Sequence, residues 1–128
     1  MISHLESVIN SSHNGRELEL MLSGKKPFSV FMRMTADNFD EFGGQDFARP
    51  VKDGKILRKI FFVKMLKCNA KAIYTGFYLY GEDWRFYAYK NLIKSLQENW
   101  SIDQEIIASI LLGYNLSEVA SYIEAYNG

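Results

Sequence analysis

Between Phe28 and Met34 the apolar residues Phe28, Val30, Met32 and Met34 recur at every second position, the spacing that places side chains on one face of a β-strand. Two further stretches, 56–67 and 72–80, are rich in β-branched and aromatic residues. Cys68-Asn69-Ala70-Lys71 between them suits a hairpin connection, which predicts an antiparallel pair. In the second strand of that pair Ile73, Thr75, Phe77 and Leu79 alternate with Tyr74, Gly76, Tyr78 and Tyr80. One face is therefore aliphatic and the other is tyrosine-rich, either covered by a helix or left for a partner.

Elsewhere the pattern is helical, and its starts are marked by capping boxes, in which a short polar residue is followed three places on by Glu or Gln. Ser3 with Glu6 opens a helix carrying Leu5, Val8 and Ile9 inward, and Asn14 with Glu17 opens one carrying Leu18, Met21 and Leu22, stopped by Gly24. The residues from Thr35 to Asp53 are expected to be mostly loop, with one helical turn at 37–42. Gly81 breaks the last strand, and Asp83 caps a helix to about Asn99 in which Tyr89, Leu92, Ile93 and Leu96 follow i, i+3, i+4 spacing. Ser101 with Gln104 starts the next helix, whose Ile102, Ile106, Ile107, Ile110 and Leu111 form the expected buried stripe. Gly113 ends it. Asn115 with Glu118 starts the last, expected to turn Leu116, Val119, Ala120 and Ile123 inward.

The chain has 128 residues, 48% of them hydrophobic and 15% aromatic, enough for one core without disulfides or metal and too apolar for disorder. Residues 1–128 are read as a single α+β domain. It comprises a small antiparallel sheet of about three strands, N-terminal helices, and a C-terminal three-helix segment packed on one face. A lone cysteine, Cys68, leaves no internal disulfide and suits a reducing compartment, so the expected location is cytoplasmic. The N-terminal residues lack the pattern of a signal peptide, and no apolar run is long enough to span a bilayer.

Fifteen basic and fifteen acidic residues cancel, but unevenly. Residues 49–71 contain eight bases (Arg49, Lys52, Lys55, Arg58, Lys59, Lys64, Lys67 and Lys71) against Asp53 alone. From Glu98 onward there are five acids and no Lys or Arg. The polarity suggests two surfaces of opposite charge.

Nothing in the chain has the spacing of a catalytic motif, and the expectation is a non-enzymatic protein without cofactor or metal. His4 and His13 have no ligand-spaced neighbours. Cys68 sits near Lys67 and Lys71, which favour a thiolate, but has no identifiable base. Asp37, Asp40, Glu41 and Asp46 match no EF-hand or two-metal pattern and read as a solvated loop. Gly43-Gly44 lacks the Gly-Lys-Ser/Thr of a phosphate loop. Glu82-Asp83-Trp84-Arg85 reads first as a helix start, with an ion pair at the strand-to-helix junction as the alternative.

Two binding surfaces remain. Arg58, Lys59, Lys64, Lys67 and Lys71, interleaved with aromatics in hairpin 49–71, have the chemistry of a single-stranded nucleic-acid face. Parity weakens it, because Arg58 and Lys64 alternate with Lys59 and Lys67 across the strand, and edge lysines also serve to block sheet-to-sheet pairing. The C-terminal helix pair has the length of a helix-turn-helix, but its second helix carries Glu118 and Glu124 and no base, and repulsion by phosphate opposes DNA binding. The preferred expectation is a protein-binding module, a small inhibitor of the immunity or anti-defence kind. It meets a basic protein partner through Asp103, Glu105, Glu118 and Glu124 together with Tyr74, Tyr78 and Tyr80. Nucleic-acid binding through 49–71 is the alternative.

Overall fold

Lys71–Tyr78 is the central strand of the protein, and every residue from Ala72 to Tyr78 is buried. Its composition explains the position: β-branched and aromatic side chains on both faces suit a strand with cover on either side. The computed structural model describes residues 15–34, 44–64, 71–95 and 101–127. The helix expected from Ser3, the helical turn at 37–42 and the hairpin turn around Cys68 lie outside them.

Among the described residues three strands form one antiparallel sheet: β1 (Phe28–Met34), β2 (Leu57–Lys64) and β3 (Lys71–Tyr78), in the order β1-β3-β2. The expected hairpin is β2 with β3, paired from Leu57 opposite Tyr78 to Lys64 opposite Lys71. On the far side of β3, Phe28 stands opposite Tyr78 and Met34 opposite Ala72. Cross-strand partners share a face. Phe28, Val30, Met32 and Met34 therefore join Leu57, Lys59, Phe61 and Val63 on the tyrosine face of β3.

Among the described residues five helices surround the sheet: α1 (Glu17–Leu22), α2 (Ala48–Lys52), α3 (Asp83–Ser95), α4 (Ile102–Leu111) and α5 (Leu116–Asn127). α3 lies over the tyrosine face, where Phe86, Tyr89 and Ile93 join Phe28, Phe61, Tyr74 and Tyr78 in the larger core. Gly76 makes the approach possible, since a Cβ there would stand 2.6 Å from Phe86 Cδ1. α4 packs on α3, and α5 on α4.

The opposite face holds a second core of Met21, Phe47, Ile56 and Phe77. Here the part of the expected loop that is described, from Gly44 onward, is instead structured. A 3-10 turn at Gly44–Phe47 runs into α2, pinned by the Phe47 ring stacked on Phe77 with centroids 4.1 Å apart. Pro50 falls within the first turn of α2, where its missing N–H costs no helical bond.

Helix ends follow local chemistry. Ser101 and Gln104 make the reciprocal capping box, and Asn115 Oδ1 accepts from the Glu118 N–H at 2.8 Å. α1 starts later than expected: its N-cap is Arg16, which makes no side-chain cap bond and pairs with Glu19 at 2.8 Å, while Asn14 lies outside the described residues.

A long-range clamp fixes the C-terminal hairpin against the start of β1. The fully buried Lys26 donates from Nζ to the Leu112 carbonyl at 2.6 Å and lies 5.2 Å from the centroid of the Tyr114 ring. Beside it Gly113, at φ +88°, packs so closely on Pro27 that a Cβ would fall 2.5 Å from Pro27 Cδ.

Candidate functional site

The junction between β3 and α3 builds a rigid display of Trp84. Gly81, at φ +85°, turns the chain, and the Glu82 carboxylate that follows is shared. One oxygen, Oε2, accepts from both Trp84 Nε1 and Arg85 Nε, each at 3.1 Å. Both readings of this junction hold: the helix starts at Asp83, and Glu82 forms an ion pair with Arg85. The Arg85 guanidinium stacks on the Trp84 ring at 4.6 Å and donates from the same side chain to the Ile110 and Leu111 carbonyls at 2.9 and 3.0 Å. Its charge meets the negative end of the α4 dipole. Trp84, 52% exposed, is thus held next to the end of α4, where Ile110 is also exposed.

The buried face of α4 keeps only part of the stripe that periodicity selects: Leu111 is buried and Ile106 packs against the larger core, but the face is rotated away from Ile107 and Ile110. Glu105, Ala108, Ser109 and Leu111 point inward, while Ile107 and Ile110 face out. Small residues at 108 and 109, both fully buried, allow the helix to sit close to its neighbours, and the clamp from Lys26 and Arg85 fixes its rotation. α5 is corrected likewise: Val119 is buried, Ile123 partly so, and Leu116 and Ala120 are exposed. Along each helix the outward stripe runs from acid to apolar toward the Gly113 turn. On α4 it is Asp103, Ile107, Ile110, and on α5, read backward, Glu124, Ala120, Leu116.

The four expected acidic contacts therefore separate. Asp103 and Glu124 are exposed, Glu118 is partly buried, and Glu105 is only 2% exposed, enclosed between α4 and the core. The tyrosines separate too. Tyr74 and Tyr78 are buried beneath α3, whose Phe86 and Tyr89 cover them, whereas Tyr80, just past β3, is 93% exposed. A partner can reach Tyr80 but not Tyr74 or Tyr78. Burial also pushes the Tyr74 hydroxyl up to about 12 and raises that of Tyr78.

Of the basic residues, Arg58, Lys64 and Lys71 share the face opposite α3, together with Ile60 and the exposed Phe62. Lys59 lies on the α3 side, its Nζ 5.5 Å from the centroid of the Tyr87 ring. A hydrogen bond to Tyr87 and the nearby Tyr78 hold its ammonium above the ordinary range. Tyr74 and Tyr78, two of the platforms of a nucleic-acid face, are on the other side of the sheet and covered, which leaves Phe62 and, beyond the end of β3, Tyr80. Lys67 falls outside the described residues, as do His4, His13, Asp37, Asp40, Glu41 and Cys68. Asp46 is exposed in the 3-10 turn.

Among the described residues, no three of His, Cys, Asp and Glu gather where they would hold a metal ion, and no helix is long and apolar enough to cross a membrane. Trp84, Arg85, Ile107 and Ile110 are the surface residues that sequence reasoning missed as a binding group. A signal was present in α4: its isoleucines are too many for one narrow stripe, and the Ala108-Ser109 pair offers a closer packing face. No protein-family model, curated protein or solved structure matches the chain.

Proposed function

We propose that the protein is a non-enzymatic, cytoplasmic protein-binding module, a small inhibitor of the immunity or anti-defence kind, that docks a basic protein partner on the surface around Trp84 and α4. The observation that carries this reading is the clamp on Trp84. A half-exposed tryptophan held by Glu82 and stacked on Arg85, beside the outward-facing Ile110, is a preorganised anchor. Trp and Arg are the residue types that dominate binding hot spots, and prior immobilisation lowers the entropy cost of association. Asp103, Glu118 and Glu124 supply the acidic rim, which speeds encounter with a positive surface. A rigid anchor with a charged rim is all that an inhibitor needs in order to cover a partner's working surface. Nucleic-acid binding is less well supported, because Tyr74 and Tyr78 are unavailable for stacking.

Quantitative affinity capture with wild type, Ile110→Asp and the double variant Asp103→Lys/Glu124→Lys tests the proposal. The expected partner is a basic protein retained by wild type and lost with Ile110→Asp. With the double variant it associates more slowly, and its binding to wild type weakens as salt is raised. Its own activity should fall to zero at an equimolar ratio. A partner held equally by all three proteins refutes this surface, and a bound partner that keeps full activity refutes the inhibitor role.

A further inference from the structure

We propose that the outer edge of β2 is a second docking site, which takes as an added strand an extended segment of a partner protein that carries acidic side chains at its two ends and apolar ones between them on the same face. β3 pairs with one side of β2, and among the described residues no strand pairs with the other. Its backbone N–H and C=O groups on that side are a template for strand addition. The strand runs from Leu57 to Lys64, about 26 Å at the usual rise per residue, long enough for a segment of similar length.

Both flanks of this edge are prepared for side chains. On the face away from α3 the order is Arg58, Ile60, Phe62, Lys64, with Ile60 exposed and Phe62 57% exposed between the two cations. Lys71, opposite Lys64, adds a third charge at that end. On the other face Lys59 and the half-exposed Tyr87 of α3 form a wall. An added strand places successive side chains alternately against Ile60 and Phe62 and against Lys59 and Tyr87.

Charge selects the occupant. β2 contains no acidic residue, so a second copy of the chain, paired edge to edge, would bring Arg58, Lys59 and Lys64 against their own counterparts. An acidic segment meets complementary charge at each end. Edge cations that served only to block pairing would leave two exposed apolar side chains between them unexplained. The surface is separate from the Trp84 patch, so Ile110→Asp leaves binding at β2 unchanged and the two proposals fail independently.

Titration of the nitrogen-15-labelled full chain with an octapeptide that presents Glu, Val, Phe and Glu at every second position, with Thr between them, followed by amide NMR, reads the site directly. Expected are shifts concentrated at residues 57–64, a loss of binding when alternate backbone nitrogens of the peptide are methylated, and affinity lowered about tenfold by Phe62→Ser. Circular dichroism confirms that this surface variant is folded. In Arg58→Glu/Lys64→Glu the preference should reverse toward the same peptide with Lys in place of Glu. The proposal is overturned by undiminished binding of the methylated peptide, or by no shift at millimolar peptide. It is equally overturned by shifts confined to α4 and α5. Tighter binding of oligothymidylate at the same amides would assign the edge to nucleic acid instead.

Discussion

The Lys26 ammonium donates to the Leu112 carbonyl at 2.6 Å, joining the residue before Pro27 to the C-cap of α4 across 86 positions of sequence. A fully buried lysine is tolerated because its ammonium is hydrogen-bonded to the Leu112 carbonyl and lies against the Tyr114 ring. Lys26→Met keeps the length of the side chain but strands the carbonyl. It should destabilise the protein by about 2 kcal/mol in urea unfolding, whereas the exposed Lys25→Met should stay within about 0.5 kcal/mol.

Gly113 adds a steric half to the same clamp. Alanine there combines a left-handed backbone with a Cβ 2.5 Å from Pro27 Cδ, so Gly113→Ala should cost roughly 3 kcal/mol. Gly81 has a similar φ but open space around it, and Gly81→Ala should cost only about 1 kcal/mol. Thermal melts of the two variants separate backbone strain from overpacking.

Gly76 and Phe86 form the equivalent contact between β3 and α3. Gly76→Ala should destabilise by about 2 kcal/mol, because Phe86 must shift within a packed core. Phe86→Leu shortens the obstacle. The double variant should therefore recover part of the loss, and strictly additive denaturation free energies would exclude direct coupling.

Tyr74 predicts an alkaline transition. Its hydroxyl has an ordinary value of 10.0 and is raised to about 12 in the folded protein, so the fold favours the neutral form. The corresponding stability is fully present below pH 10 and is lost as pH rises toward 12, by about 2–3 kcal/mol in total. Tyr74→Phe retains the ring stacked on Phe61 at 4.7 Å and should flatten that part of the stability profile, measured by urea unfolding between those pH values.

Glu105 should behave unlike the other acids of the hairpin. Asp103→Lys and Glu124→Lys alter exposed charge and should change stability by less than about 0.5 kcal/mol. Glu105→Lys puts an unmatched cation into an enclosed site and should cost at least about 3 kcal/mol. Equal melting temperatures for all three variants would contradict the burial of Glu105.

By itself the sequence determined what local physics controls. The two-residue period from Phe28 to Met34, the paired strands around Cys68, the capping box at Ser101, the Asn115 cap and the glycine stops at Gly24 and Gly113 each depend on residues a few positions apart. The helix start at 82–85 was legible for the same reason, with the ion pair there an alternative whose partners, Glu82 and Arg85, the structure identifies. Tertiary structure alone decided that β1 joins β3 rather than β2, that α3 covers Tyr74 and Tyr78, and that α4 turns Glu105 inward and Ile107 and Ile110 outward. Helical periodicity identifies an apolar stripe, but the face that is buried is chosen by what it packs against. Here that choice is made by Lys26 on Leu112 and Arg85 on Ile110, contacts between segments distant in sequence that no local pattern encodes.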